Sequence, residues 1–156
     1  MTSKPILTVS ANEGETLSIA GGNYRIVMPG KDTNGAFAII EMTVPPGAGP
    51  NPHSHASFTE TFYVLEGEVT FKSEMGSYVA GKGSLITIPQ GGMVHGFKNV
   101  TTVPAVLLCT VMPAGLENFF HEAAALTPTT ENRMEKIKAL FQKYGQLLYP
   151  ENYLNQ

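Results

Sequence analysis

Turns set the rhythm of this chain and restrict its fold more than any other feature. Across the first two thirds, glycine- and proline-rich turns recur about every 8 to 12 residues, and the runs between them are rich in β-branched and aromatic residues. ETLSIAG and NYRIVMPG are short and Gly-bounded, and AFAIIEMTVPPG is a longer β-prone run. TFYVLEGEVTFKS has two such arms meeting at Glu66-Gly67, which reads as a hairpin. SYVAGKGSLITIPQGG and AVLLCTVMPAG continue the series. Strands at this spacing favour a sandwich or barrel over alternating strands and helices. Sixteen glycines and eleven prolines in 156 residues supply the turns such a layout needs. The length is that of one domain with its own apolar core, residues 1–156, whose barrel spans about 15–113.

After Pro113 the period changes. In LENFFHEAAAL, residues Leu116, Phe119, Phe120 and Ala123 recur at helical spacing. TPTTENRMEKIKALFQKYG then reads as an amphipathic helix with Met134, Ile137, Phe141 and Tyr144 on one stripe. Thr129 or Thr130 is placed to cap its start, and Gly145 sits where a left-handed terminator belongs. This helical tail, about residues 114–156, is expected to pack on the barrel or on a second subunit.

Chemistry enters with PNPHSHASFTETFYVLEGEV, residues 50–69. The chain has four histidines, and two of them are separated by one residue. Alternate residues of a strand face the same side, about 6.6 Å apart. His53 and His55 therefore point together and can converge on one ion through bonds of about 2.0–2.1 Å. Glu60 opens the next strand and can bring a carboxylate oxygen to the same point. In IPQGGMVHGFKN, His95 stands at a strand entrance after a glycine turn and offers a fourth donor. The competing reading is of surface histidines beside loops with a solvated glutamate.

Two motifs here resemble those of the cupins. Gly47, His53, His55, Glu60 and Gly67 follow the spacing of the first cupin motif, and Gly83, Pro89, His95 and Asn99 that of the second. One departure is visible: five residues separate Pro89 from His95, where the usual pattern has four. The flanking segments are similar to small single-domain cupins related to quercetin dioxygenases. The resemblance implies an all-β jelly-roll (double-stranded β-helix) barrel with C-terminal α-helices. It also implies one divalent transition metal per chain (Fe, Mn, Ni, Co or Zn) held by His53, His55, Glu60 and His95. Positions left open on that ion would take water, substrate or dioxygen.

The enzymatic reading is a quercetinase-like dioxygenase acting on a small enolic or phenolic, flavonol-like substrate, with Glu60 doubling as proton acceptor. The alternatives are a non-catalytic cupin that binds a small molecule or a metal, and a metal-dependent isomerase or hydrolase. Strand parity nominates Phe62 and Val64 beside Glu60, and Phe97 and Asn99 beside His95, as inward-facing, with Phe58 and Met93 near the mouth. Phe58, Phe62, Val64, Met93 and Phe97 are thus the candidate substrate wall. Each is also a plausible core residue of a small barrel. No Arg or Lys falls within residues 47–71, which disfavours a sugar-phosphate substrate.

His121, in FFHEAA, is expected at the surface or an interface. Cys109, in the apolar AVLLCTVMP, reads as a small buried hydrophobe. A net charge of -3 gives no footprint for nucleic acid, and no apolar run approaches the roughly 20 residues that span a bilayer. A cytoplasmic protein is expected, pairing as a homodimer through outer strands or the Phe119/Phe120 and YPENYL segments.

Overall fold

The computed structural model describes residues 3–155. Among these residues, eleven strands form two antiparallel sheets that face each other, a jelly roll. The first sheet holds, in spatial order, β1 (Glu15–Ile19), β2 (Gly22–Met28), β3 (Ala38–Val44), β10 (Ala105–Met112), β5 (Thr59–Glu66) and β8 (Leu85–Ile88). The second holds β11 (Gln146–Leu148), β4 (His53–His55), β9 (His95–Lys98), β6 (Glu68–Ser73) and β7 (Gly76–Gly81).

Alternation explains the packing. In β3, Ala38, Ile40, Met42 and Val44 are buried and the residues between them are not. β10 repeats this with Ala105, Leu107, Cys109 and Val111, all fully enclosed. The inward faces of the two sheets meet in one core, where each large aliphatic side chain contributes about 1.5–3 kcal/mol. Phe62, Phe71 and Phe97 interlock there with ring centroids 5.1–5.5 Å apart.

The hairpin expected at Glu66-Gly67 does not form. β5 pairs with β10 and β8, whereas β6 pairs with β7 and β9, so the chain changes sheets at this point. One residue lies between the two strands, too few to close a two-residue hairpin turn. Gly67 instead makes a corner, at φ 71 and against the backbone at Pro104 and Ala105. A Cβ there would stand 2.7 Å from the Pro104 oxygen. The short hairpin is the next one, β6 to β7.

The tail builds two helices and a strand. α1 (Leu116–Ala124) buries Leu116, Phe119 and Phe120, as its spacing predicts. α2 (Arg133–Lys143) starts later than a threonine cap requires. Asn132 occupies the cap position in a left-handed conformation without a side-chain bond, while Thr129 and Thr130 lie within hydrogen-bonding distance of the Thr127 hydroxyl. The threonine cap is therefore corrected: the preceding turn bonds to itself. Gly145 does end the helix at φ 69. α2 buries none of its residues, and Met134 of the expected stripe is 55% exposed. It is held by Phe119 against Phe141, at 4.9 Å between ring centroids, and by Lys143 and Tyr144 on Glu122. The chain then returns as β11 alongside β4, a strand the sequence did not announce.

Candidate metal centre

The four candidate donors come from both sheets. β4 turns His53 and His55 inward and Ser54 away, and His95 on β9 lies directly across from His53. Glu60, from the facing sheet, points at the same place because its inward parity is shared with Phe62 and Val64. The donor atoms of His53, His55, Glu60 and His95 all lie within 4.8 Å of one another. Donors on opposite sides of one ion are at most about 4.2 Å apart. The cluster thus closes on an ion by a small contraction.

Backbone carbonyls fix the imidazoles for this task. His53 Nδ1–H donates to the Asn51 oxygen at 2.8 Å, His55 Nδ1–H to that of Phe58 at 3.0 Å, and His95 Nδ1–H to that of Met93 at 2.9 Å. A carbonyl only accepts, so each Nδ1 carries the proton and each neutral ring presents a lone pair at Nε2. The Nε2 atoms of His55 and His95 are buried without a hydrogen-bond partner. Buried polar atoms are normally satisfied, and two orphaned nitrogens facing a carboxylate fit a cation between them. Glu60 Oε2 stands 3.3 Å from His55 Nε2 and 3.9 Å from His95 Nε2. With Nδ1 protonated and Nε2 bare, these contacts set lone pairs against a carboxylate oxygen, a repulsion that a cation between them relieves. Phe58 stacks on the outer face of His55 at 4.0 Å and holds its ring plane.

Charge state favours the ligand forms. Burial, with His95 alongside, lowers the His53 pKa to about 4, so the ring is neutral at neutral pH. Burial alone would raise the Glu60 carboxyl, but its contacts with His55 and His95, favourable when those rings carry a second proton, outweigh it and lower the pKa to about 2. The other Glu60 oxygen, Oε1, accepts a hydrogen bond from the Cys109 thiol at 3.4 Å. Burial pushes that thiol up, and the Glu60 charge adds to the effect, so Cys109 remains a donor.

A cavity of about 650 Å³ opens onto this cluster. His53, Glu60 and His95 stand on its wall, and His55 lies behind them. Phe62 and Phe97 form part of the apolar lining. Val64 is fully buried in the core and Phe58 is buried against His55, both off the cavity wall. Met93 is 48% exposed and borders a second cleft, lined by β6, β7 and β8, that reaches His95 from its other side. Asn99 is buried but structural: its amide donates to the Val44 and Val103 carbonyls. His121 lies outside the cluster, partly exposed, with Nδ1 3.6 Å from a Glu15 carboxylate oxygen.

Several wall residues escaped the sequence reading. Tyr24 lines the cavity from β2, with its phenol pushed well up by burial. Phe119 and Phe120 come from α1, Phe141 from α2 and Gln146 from β11. Burial parity in NYRIVMPG would have found Tyr24 as an inward residue. Nothing local marks Gln146, whose strand forms only because β4 offers a free edge. Cys109 had the correct burial, but its partnership with Glu60 depends on the pairing of β10 with β5.

Comparison with known proteins agrees with this geometry. The family described as Cupin domain matches residues 40–111. Quercetin 2,3-dioxygenase of Bacillus subtilis (strain 168) is 30% identical over 115 residues, 72% of this chain and 33% of that protein. A probable germin-like protein (subfamily 2, member 5) of Arabidopsis thaliana is 32% identical over 110 residues, 67% of this chain and 51% of its own length. The chain therefore spans a third to a half of these two relatives. Among solved structures, a predicted oxalate decarboxylase from Thermotoga maritima superposes with a TM-score of 0.60 at 20% identity, covering 69% of this chain and 99% of that one. No helix among the described residues is long and apolar enough to cross a membrane. With both motifs, the ligand cluster and the two-sheet barrel in agreement, this chain is a member of the cupin superfamily.

Proposed function

We propose that the chain is a metal-dependent dioxygenase acting on a small enolic or phenolic substrate of the flavonol type. One observation carries the reading: three of the four donors stand on the wall of an apolar, aromatic-lined cavity rather than inside a sealed structural site. Structural metal sites close their shell with protein ligands, whereas reactive ones keep a side open. The cavity falls in the range of about 300–1,000 Å³ that encloses drug-sized ligands. The partial similarity to a quercetin dioxygenase supports the same substrate class.

A bound transition ion would supply Lewis acidity toward an enolic or phenolic oxygen and redox chemistry with dioxygen. The protein does the rest. His53, His55 and His95, each with its Nδ1–H on a backbone carbonyl, offer Nε2 donors whose direction the backbone fixes. Phe62 and Phe97 exclude water and present flat faces to a flat substrate. Glu60, held near pKa 2, is a weak base. With a metal bound, it would be placed to accept a proton from a substrate oxygen that the ion acidifies, not from a free phenol. Cys109 keeps the carboxylate from rotating away.

The test is oxygen consumption by protein reconstituted with Fe, Mn, Ni or Co in turn, offered quercetin and simpler enols. Uptake in step with substrate loss, abolished in His95→Ala, is the expected result. Metal bound stoichiometrically with no uptake for any pairing would overturn the dioxygenase reading in favour of a binding role.

A further inference from the structure

The metal donors lie within the part of the chain that matches the cupin family, but much of the cavity wall does not. Residues 40–111 supply His53, Glu60, His95, Phe62 and Phe97. Phe119, Phe141, Gln146 and Leu148 come from the tail beyond it. Among these tail residues Gln146 stands out chemically.

Gln146 pairs with His55 across β4 and β11, so its side chain leaves the sheet on the same inward face. It is 3% exposed and lines the cavity. Its amide nitrogen is buried and has no hydrogen-bond partner. Whichever way the amide is turned, one end is shut off from bulk water and unpaired. An unpaired buried amide costs stability, and a leucine or methionine would fill this place without that cost. The other unpartnered buried side-chain nitrogens among the described residues are those of His55 and His95, which are metal donors. Apart from the donors, Tyr24 and Gln146 are the buried polar side chains on the cavity wall, one from each sheet.

We propose that Gln146 is a specificity-determining residue, whose amide hydrogen-bonds a polar substituent of the ligand while another oxygen of that ligand faces the metal cluster. The substituent is an uncharged hydroxyl or carbonyl, since an amide offers both a donor and an acceptor and no charge. The strand β11 is therefore part of the binding site, and α2 serves to deliver it. The flavonol form of this claim rests on the function proposed above; the placement of the amide does not.

The experiment compares wild-type protein with Gln146→Met, both loaded with Ni, using two probes that share one metal-binding edge. Quercetin carries additional ring hydroxyls, and 3-hydroxyflavone lacks them. Binding is followed by absorbance titration, and thermal stability by calorimetry without probe. Gln146→Met should keep its metal, melt higher than wild type, bind quercetin about tenfold more weakly and leave 3-hydroxyflavone unchanged. A lower melting temperature would show that the amide is structurally satisfied and overturn the proposal. Equal weakening of both probes, or of neither, would do the same. If wild type binds neither flavone, the flavonol reading falls, and the stability comparison alone then decides whether Gln146 is kept at the expense of the fold.

Discussion

Metal-free protein should lose stability on mild acidification, and His53 should account for a measurable part of the loss. In the folded chain His53 takes up a proton only near pH 4, because burial and the neighbouring His95 oppose the charge. In the unfolded chain it does so near its ordinary value of about 6.5. Between these values the unfolded state binds more protons, so stability rises with pH and falls as pH is lowered. One pKa unit corresponds to about 1.4 kcal/mol, and the part of the window above pH 4.5 gives about 2 kcal/mol for this residue. In a domain of this size that moves the melting temperature by about 4–8 °C. The perturbation is His53→Asn, which retains a polar side chain but does not titrate. Both proteins are stripped of metal and melted by calorimetry from pH 7 to pH 4.5. Glu60 is present in both and loses its own contribution lower, as pH falls from the ordinary carboxylate value toward about 2. Wild type should fall more steeply than the variant by the amount given. Parallel curves, or a steeper variant, would refute the claim that His53 is held neutral by its surroundings.

Three further outcomes test separate parts of the structure. His55→Ala and Glu60→Ala should each reduce bound metal well below one ion per chain by elemental analysis, whereas His121→Ala, remote from the cluster, should leave it unchanged. Cys109→Ala removes the thiol donor to Glu60 Oε1, a bond of about 1 kcal/mol, so the dissociation constant for Ni or Co should rise several-fold in competition with a chromogenic chelator. Gly67→Ala places a methyl 2.7 Å from the Pro104 oxygen at positive φ, and should destabilise the fold by about 1–3 kcal/mol in urea titration without changing metal stoichiometry.

The parts of the fold that were legible in the sequence are those governed by period. His53 and His55, Glu60 with Phe62, and the alternating residues of β3 and β10 all obey the two-residue repeat, so their inward direction could be read before any pairing was known. The late helices were equally visible, because Phe119 and Phe120 recur at helical spacing and are buried. What escaped depends on which elements meet. Glu66-Gly67 looks like a hairpin locally, and only the pairing of β5 with β10 shows it to be a corner. Met93 sits two residues before His95 and shares its parity, yet it precedes the strand and turns to another cleft. Val64 shares the parity of Glu60 too, but lies too deep in the barrel to reach the cavity. The direction of a side chain was predictable, and its depth was not.

That difference separates the two jobs of the site. Metal donors need only a direction and a backbone carbonyl behind each ring, and strands a few residues long provide both. A substrate wall needs surfaces at a chosen distance from the ion, and the barrel alone cannot adjust that distance without disturbing its own core. Here the adjustable surfaces lie outside the barrel's inner strands. α2 buries none of its residues, yet Phe141 reaches to 6.2 Å from the His53 ring, and β11 sets Gln146 opposite His55. Substitutions on α2 can therefore reshape what enters the cavity at little cost to folding, while the four donors stay where the sheets put them. The same reasoning places the residues that tune the cavity in the tail, beyond the residues 40–111 that match the cupin family.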